Sequence, residues 1–95
     1  MRLKINTQNT TISVLAENIV FKAESDHKML FEISCSNMDT YRFSLSYATT
    51  KEAKRFKELC EGVIDAMNSD RRSFSCSFSE FPNIKFEKSA RCSSI

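Results

Sequence analysis

From Arg2 to Tyr47 apolar and polar residues exchange places at nearly every step, a two-residue period that belongs to strands with one face buried and one face wet. Leu3, Ile5 and Thr7 stand against Arg2, Lys4 and Asn6, and after a break at Gln8-Asn9 the pattern resumes at Ile12, Val14 and Ala16. Glu17-Asn18 reads as a tight connection to a third strand, in which Ile19, Phe21 and Ala23 oppose Val20, Lys22 and Glu24. Ser25-Asp26-His27-Lys28 carries turn chemistry, because Ser and Asp side chains bond to their own downstream backbone. Met29, Phe31, Ile33 and Cys35 then face away from Leu30, Glu32, Ser34 and Ser36. After a turn at Asn37-Met38-Asp39, Tyr41, Phe43, Leu45 and Tyr47 oppose Arg42, Ser44 and Ser46, and these last two runs are the strongest hairpin signal in the chain. Five short strands are expected before the period changes.

The change comes at Thr49, a candidate N-cap with Glu52 three residues on, the capping-box arrangement. Ala53, Phe56, Leu59, Cys60, Val63, Ile64 and Met67 make one apolar stripe, while Lys51, Lys54, Glu58, Gly62 and Asp65 hold the other face. Asn68-Ser69-Asp70 ends this amphipathic helix. Phe74-Ser75-Cys76-Ser77-Phe78-Ser79 alternates again, and Pro82 interrupts it, since proline cannot donate to a ladder and belongs at an edge or turn. Ile84 and Phe86 predict a last short strand. No repeat or linker divides the 95 residues, so residues 1–88 are expected to form a single α+β domain and residues 89–95 a flexible C-terminal tail. A composition of 41% hydrophobic and 27% charged residues is that of a globular chain.

The fold expected is an antiparallel, strongly curved sheet of five strands, then the helix packed on the sheet, then one or two strands. A helix of about 20 residues is about 30 Å long and cannot cover a flat sheet of that width. Either the sheet curls into a half-barrel plugged by the helix, or another chain covers the remaining apolar surface. Phe43-Ser44-Leu45-Ser46-Tyr47, followed by a helix beginning Thr50-Lys51-Glu52-Ala53-Lys54-Arg55-Phe56, resembles in a loose way the closing strand and capping helix of small barrel modules of the pleckstrin-homology type. The resemblance covers Tyr41 to Met67, implies a half-barrel fold, and departs from the family's pattern in the strands that follow the helix.

The net charge of +2 comes from 14 basic and 12 acidic residues, too even a balance for a strong single-sign field. The first residues alternate without an apolar run, so neither a secretory signal nor a membrane span is expected, and the location read from the sequence is cytoplasmic. Cys35, Cys60 and Cys76 fall on apolar faces and are expected as reduced core thiols; with Cys92 and one histidine they offer no spacing for zinc. His27 beside Asp26 is read as a solvated turn histidine, because neighbours in a chain rarely aim their side chains together. The acidic residues make no metal or carboxylate-pair motif, and one glycine cannot build a phosphate cradle. No enzyme activity, cofactor or metal is expected.

Candidate anion or partner contacts are Lys51, Lys54 and Arg55 in the first turns of the helix, together with Arg71 and Arg72 beyond its end. Cations at a helix N-terminus oppose the macrodipole, which favours negative charge there. A basic sheet face of Arg2, Lys4, Lys22, Arg42 and Lys85 supports an alternative, a nucleic-acid-binding regulator; the aromatics share core faces, however, where they cannot stack on bases. Gly62 on the polar helix face is explained by a partner's close approach or by tolerated drift. Cys92-Ser93-Ser94-Ile95 is a poor prenylation box and equally a terminus for a carboxylate groove. The reading favoured by sequence is a non-enzymatic binding or regulatory module, homodimeric, contacting a protein partner through a sheet edge or face.

Overall fold

A computed structural model describes residues 1–90. The elements are β1 (Arg2–Asn6), β2 (Thr11–Ser25), β3 (Lys28–Cys35), β4 (Asp39–Ser46), α1 (Thr50–Asn68), β5 (Ser73–Ser77) and β6 (Ile84–Ala90). They form one six-stranded sheet in the order β5-β1-β2-β3-β4-β6, curled around the helix as a half-barrel.

Two expectations about the sheet are corrected. Glu17-Asn18 is no connection: β2 is a single strand of 15 residues, so four strands and not five precede the helix. Its register against β3 jumps between Ala16, opposite Cys35, and Asn18, opposite Ser34, leaving Glu17 as the extra residue of a bulge. One added residue reverses the parity of every side chain beyond it. Ile12, Val14 and Ala16 before the bulge therefore share a face with Ile19, Phe21 and Ala23 after it, and the same parity change looks like a strand break in the sequence.

The sheet is also mixed rather than wholly antiparallel. β5 pairs parallel with β1, Leu3 opposite Phe74 and Ile5 opposite Cys76. β1 and β5 are not consecutive: after β2, β3 and β4 the 19-residue helix carries the chain from β4 back to the opposite flank of the sheet, so that β5 enters beside β1 running in the same direction. β6 then returns to the far side, antiparallel to β4. It continues through Ser89 and Ala90, past the boundary expected at residue 88; residues 91–95, and with them the readings of Cys92 and of the terminal carboxylate, lie outside the described residues.

The core lies between the concave sheet face and the helix. Phe31 and Phe43 from the sheet, Phe56 from the helix and Phe78 from the β5–β6 loop are fully buried, and Phe81, also in that loop, joins them. Phe56 anchors the helix, with its ring centroid 5.1 Å from that of Phe78, 5.4 Å from Phe81 and 6.2 Å from Phe21. The helix begins as its sequence indicates: Thr49 is extended, and its hydroxyl accepts the Glu52 N–H at 3.2 Å. Its end is a Schellman closure, with Asp70 N–H donating to Met67 O and Arg71 N–H to Ala66 O, both at 3.1 Å. Asp70 holds the left-handed position, φ 57°, that glycine usually takes. The convex face is not entirely wet, for Leu30 and Ser44 are buried on it in a row that runs Lys22, Leu30, Ser44, Lys85.

Candidate functional site

The five candidate cations do not form one site. Lys51, Lys54 and Arg55 lie in the first two turns of the 19-residue helix and Arg71 and Arg72 beyond its last, with residues 56–68, roughly 20 Å of helix axis, between the two groups. At the N-terminal end a shallow cavity of about 610 Å³ gathers Lys51, Lys54 and Arg55 with Glu52, Glu58 and Glu80, three charges of each sign. The Arg55 guanidinium is already held there. Its Nε donates to both Glu80 oxygens at 3.1 and 3.3 Å, and Glu58 stands 3.7 Å from its Nη1. Glu80 lies 25 residues away, on the β5–β6 loop, and no sequence spacing announces it.

At the other end a cavity of about 810 Å³ has Arg71, Arg72 and Arg2 on its wall, with Glu17 and Asp70 beside them. The parallel pairing brings Arg2 there, since its N–H donates to Arg72 O at 2.9 Å. Arg71 lies over Phe74, 5.6 Å from the ring centre. Neither Arg2, Arg71 nor Arg72 makes an ion pair among the described residues. This cluster is solvent-exposed.

Arg2, Lys4, Lys22, Arg42 and Lys85 do share the convex face, but acids interleave with them. Arg42 donates from Nε to Glu32 at 2.7 Å, and Glu87 is its register partner on β6. This bond and the charge of Glu32 raise the Arg42 pKa above its ordinary value. The pair sits at a position where β3 and β4 exchange no backbone hydrogen bonds, the geometry that brings facing side chains closest.

Cys35, Cys60 and Cys76 are free and buried. Burial pushes the Cys60 thiol well up and the Cys76 thiol up to about 11, the latter against a lowering by Arg55. Burial, then Asp39, raises Cys35. A thiol that resists ionisation is a poor nucleophile and a poor metal ligand. His27 is exposed in the β2–β3 turn, and its carbonyl, not its ring, is used, accepting the Tyr47 N–H at 2.9 Å. Among the described residues no three His, Cys, Asp or Glu side chains converge as metal ligands.

The sheet itself presents the least satisfied chemistry. Among the described residues both outer strands, β5 and β6, have a strand on one side only. In a parallel ladder alternate residues direct both backbone groups to the partner, and Arg72 O and Phe78 N–H both bond to the β1 side. The even-numbered residues of β5 are thus used, and Ser73, Ser75 and Ser77 point N–H and C=O outward. On the other flank, Tyr47 N–H bonds to His27 O, so the odd-numbered residues of β4 serve β3 and its even-numbered residues serve β6. The β6 residues opposite them are Lys85, Glu87 and Ser89. Phe86 and Lys88 therefore direct N–H and C=O away from the sheet, as Ile84 does its carbonyl. Beside Ile84 and Phe86 lies a cavity of about 270 Å³, bounded on the far side by the Thr7–Thr10 turn and Pro82.

No family model, characterised protein or solved structure matches this chain.

Proposed function

We propose that this chain is a small cytoplasmic binding or regulatory module without chemistry of its own, acting through protein–protein contact at an open sheet edge and functioning as a homodimer. The observation that carries the reading is the outward row of N–H and C=O groups on β6, set beside the half-buried apolar side chains of Ile84 and Phe86. Such an edge is a template for an added strand, with the main chain giving affinity and alternate side chains giving specificity. Three buried reduced thiols suit a reducing compartment. No helix among the described residues is long and apolar enough to cross a membrane. The half-barrel with its helix, like the pleckstrin-homology modules that Tyr41–Met67 resembles, serves in this reading as the rigid support of the edge.

Protein is favoured over nucleic acid because the convex face carries no aromatic for base stacking and its central cation, Arg42, is bound to Glu32. The test uses prolines at outward amides. Lys88→Pro removes a donor from the β6 edge, and Ser75→Pro removes one from the β5 edge, each leaving the ladder on its inner side intact. A protein contact seen by light scattering or by affinity capture is expected to be lost with one edge proline and kept with the other. If neither proline alters any contact, the reading is wrong. A complex with DNA or RNA in a low-salt gel shift, weakened by Lys54→Glu with Arg55→Glu, would replace it with the nucleic-acid reading.

A further inference from the structure

We propose that the β6 edge recognises a second copy of this chain: two β6 strands pair antiparallel about a two-fold axis at Phe86, setting Lys85 of each copy opposite Glu87 of the other. The inference rests on the protein-contact reading and gives it a partner, an edge and a register.

The backbone limits the choices first. Only the even-numbered residues of β6, Ile84, Phe86, Lys88 and Ala90, direct groups outward, so an antiparallel mate of identical sequence must pair even-numbered residues with even-numbered ones, and neighbouring registers differ by a slip of two residues. Side chains then decide among them. With the axis at Lys85, that lysine faces its own copy; with the axis at Glu87, two glutamates meet. Like charges directly opposite are destabilising, and opposite charges are favourable. The register centred on Phe86 alone brings Lys85 and Glu87 together, twice, at the positions without backbone bonds where facing side chains are closest.

The convex face supports the same register. Glu32, Arg42 and Glu87 are neighbours in one row across β3, β4 and β6, alternating in sign, with the Glu32–Arg42 bond formed. Lys85 of the second copy continues the alternation. On the concave face, Phe86 already lies nearly parallel to Tyr41, 5.9 Å away, and 5.0 Å from Phe43, and the second Phe86 extends this aromatic row. A lysine on an edge normally discourages pairing. Lys88 is turned back into its own subunit, 3.6 Å from Asp39 and 5.7 Å from the Tyr41 ring centre. β5 has no comparable code, since its exposed face is serine throughout.

Sedimentation equilibrium on the full chain, with circular dichroism as a check on folding, tests the register. The wild type dimerises reversibly on concentration. Lys85→Glu and Glu87→Lys each place two like-charged pairs in the interface and weaken the homodimer about tenfold or more, for about 1.4 kcal/mol. Mixed in equal amounts the two variants form a heterodimer at wild-type strength, because one copy then carries only glutamates and the other only lysines at these positions. The double variant is a homodimer again. A wild type that stays monomeric at the highest concentration, single variants that dimerise normally, or a mixture without heterodimer would each overturn the proposal. Lys88→Pro separates this failure from that of the broader reading: if it abolishes a contact to which the charge exchanges are indifferent, the edge still binds protein and only the register is wrong.

Discussion

Phe78 touches four other rings: Phe56 at 5.1 Å, Phe43 at 5.5 Å, Phe31 edge-on at 5.9 Å and Phe81 at 6.2 Å. It joins the helix, the β3–β4 hairpin and the β5–β6 loop, so its loss cannot be absorbed by one neighbour moving in. Phe78→Ala is expected to cost about 3–5 kcal/mol, enough to unfold much of the population at 37 °C, whereas Phe78→Leu should leave a cooperative thermal transition. Cys76 makes a second residue-scale prediction. Its folded pKa of about 11 lies above the ordinary thiol value of 9.0, so the folded state holds the proton more firmly than the unfolded one. The stabilisation is complete below pH 9 and is lost as pH rises toward 11. Urea midpoints measured across that interval should fall less steeply for Cys76→Ala than for the wild type.

The helix has its single glycine in an unhelpful position. Gly62 lies in the middle of α1, where an added Cβ meets nothing within 4 Å, while Asp70 occupies the left-handed closing position without being glycine. Gly62→Ala and Asp70→Gly are each expected to raise stability by about 1 kcal/mol, additively because the sites share no partner. If Gly62→Ala stabilises the monomer yet weakens a protein contact, the helix face belongs to an interface. The stripe, the cap at Thr49 and the β3–β4 hairpin were legible because each depends on local spacing. The parallel β1–β5 pair was not, because no short-range pattern says which earlier strand a chain returns to after a helix. The bulge at Glu17 produced a true change of parity that turn and bulge share. Of the candidate cations, the helix-start group was legible as a cluster but not its neutralisation, since Glu80 reaches Arg55 only through the β5–β6 loop. Arg2 joins Arg71 and Arg72 only through the parallel β1–β5 pairing, which no short-range pattern announces.

At the scale of the molecule, a curled sheet with one helix solves the covering problem and leaves another unsolved. β5 and β6 do not pair, so the half-barrel ends in two edges of different character: one short and lined by serine, the other seven residues long and coded by Lys85, Phe86 and Glu87. Amide exchange distinguishes them. In dilute solution the outward N–H groups of Ser73, Ser75, Ser77, Phe86 and Lys88 should exchange at least about tenfold faster than the inward ones of Phe74, Cys76, Lys85 and Glu87, because only the inward groups need an opening to meet water. Raising the concentration should then protect Phe86 and Lys88 while the three serines stay fast, since the mate at β6 takes those donors and nothing takes the ones on β5. Uniform exchange along both strands would mean that the edges are covered within one chain, and protection at the serines alone would transfer the contact to the opposite flank.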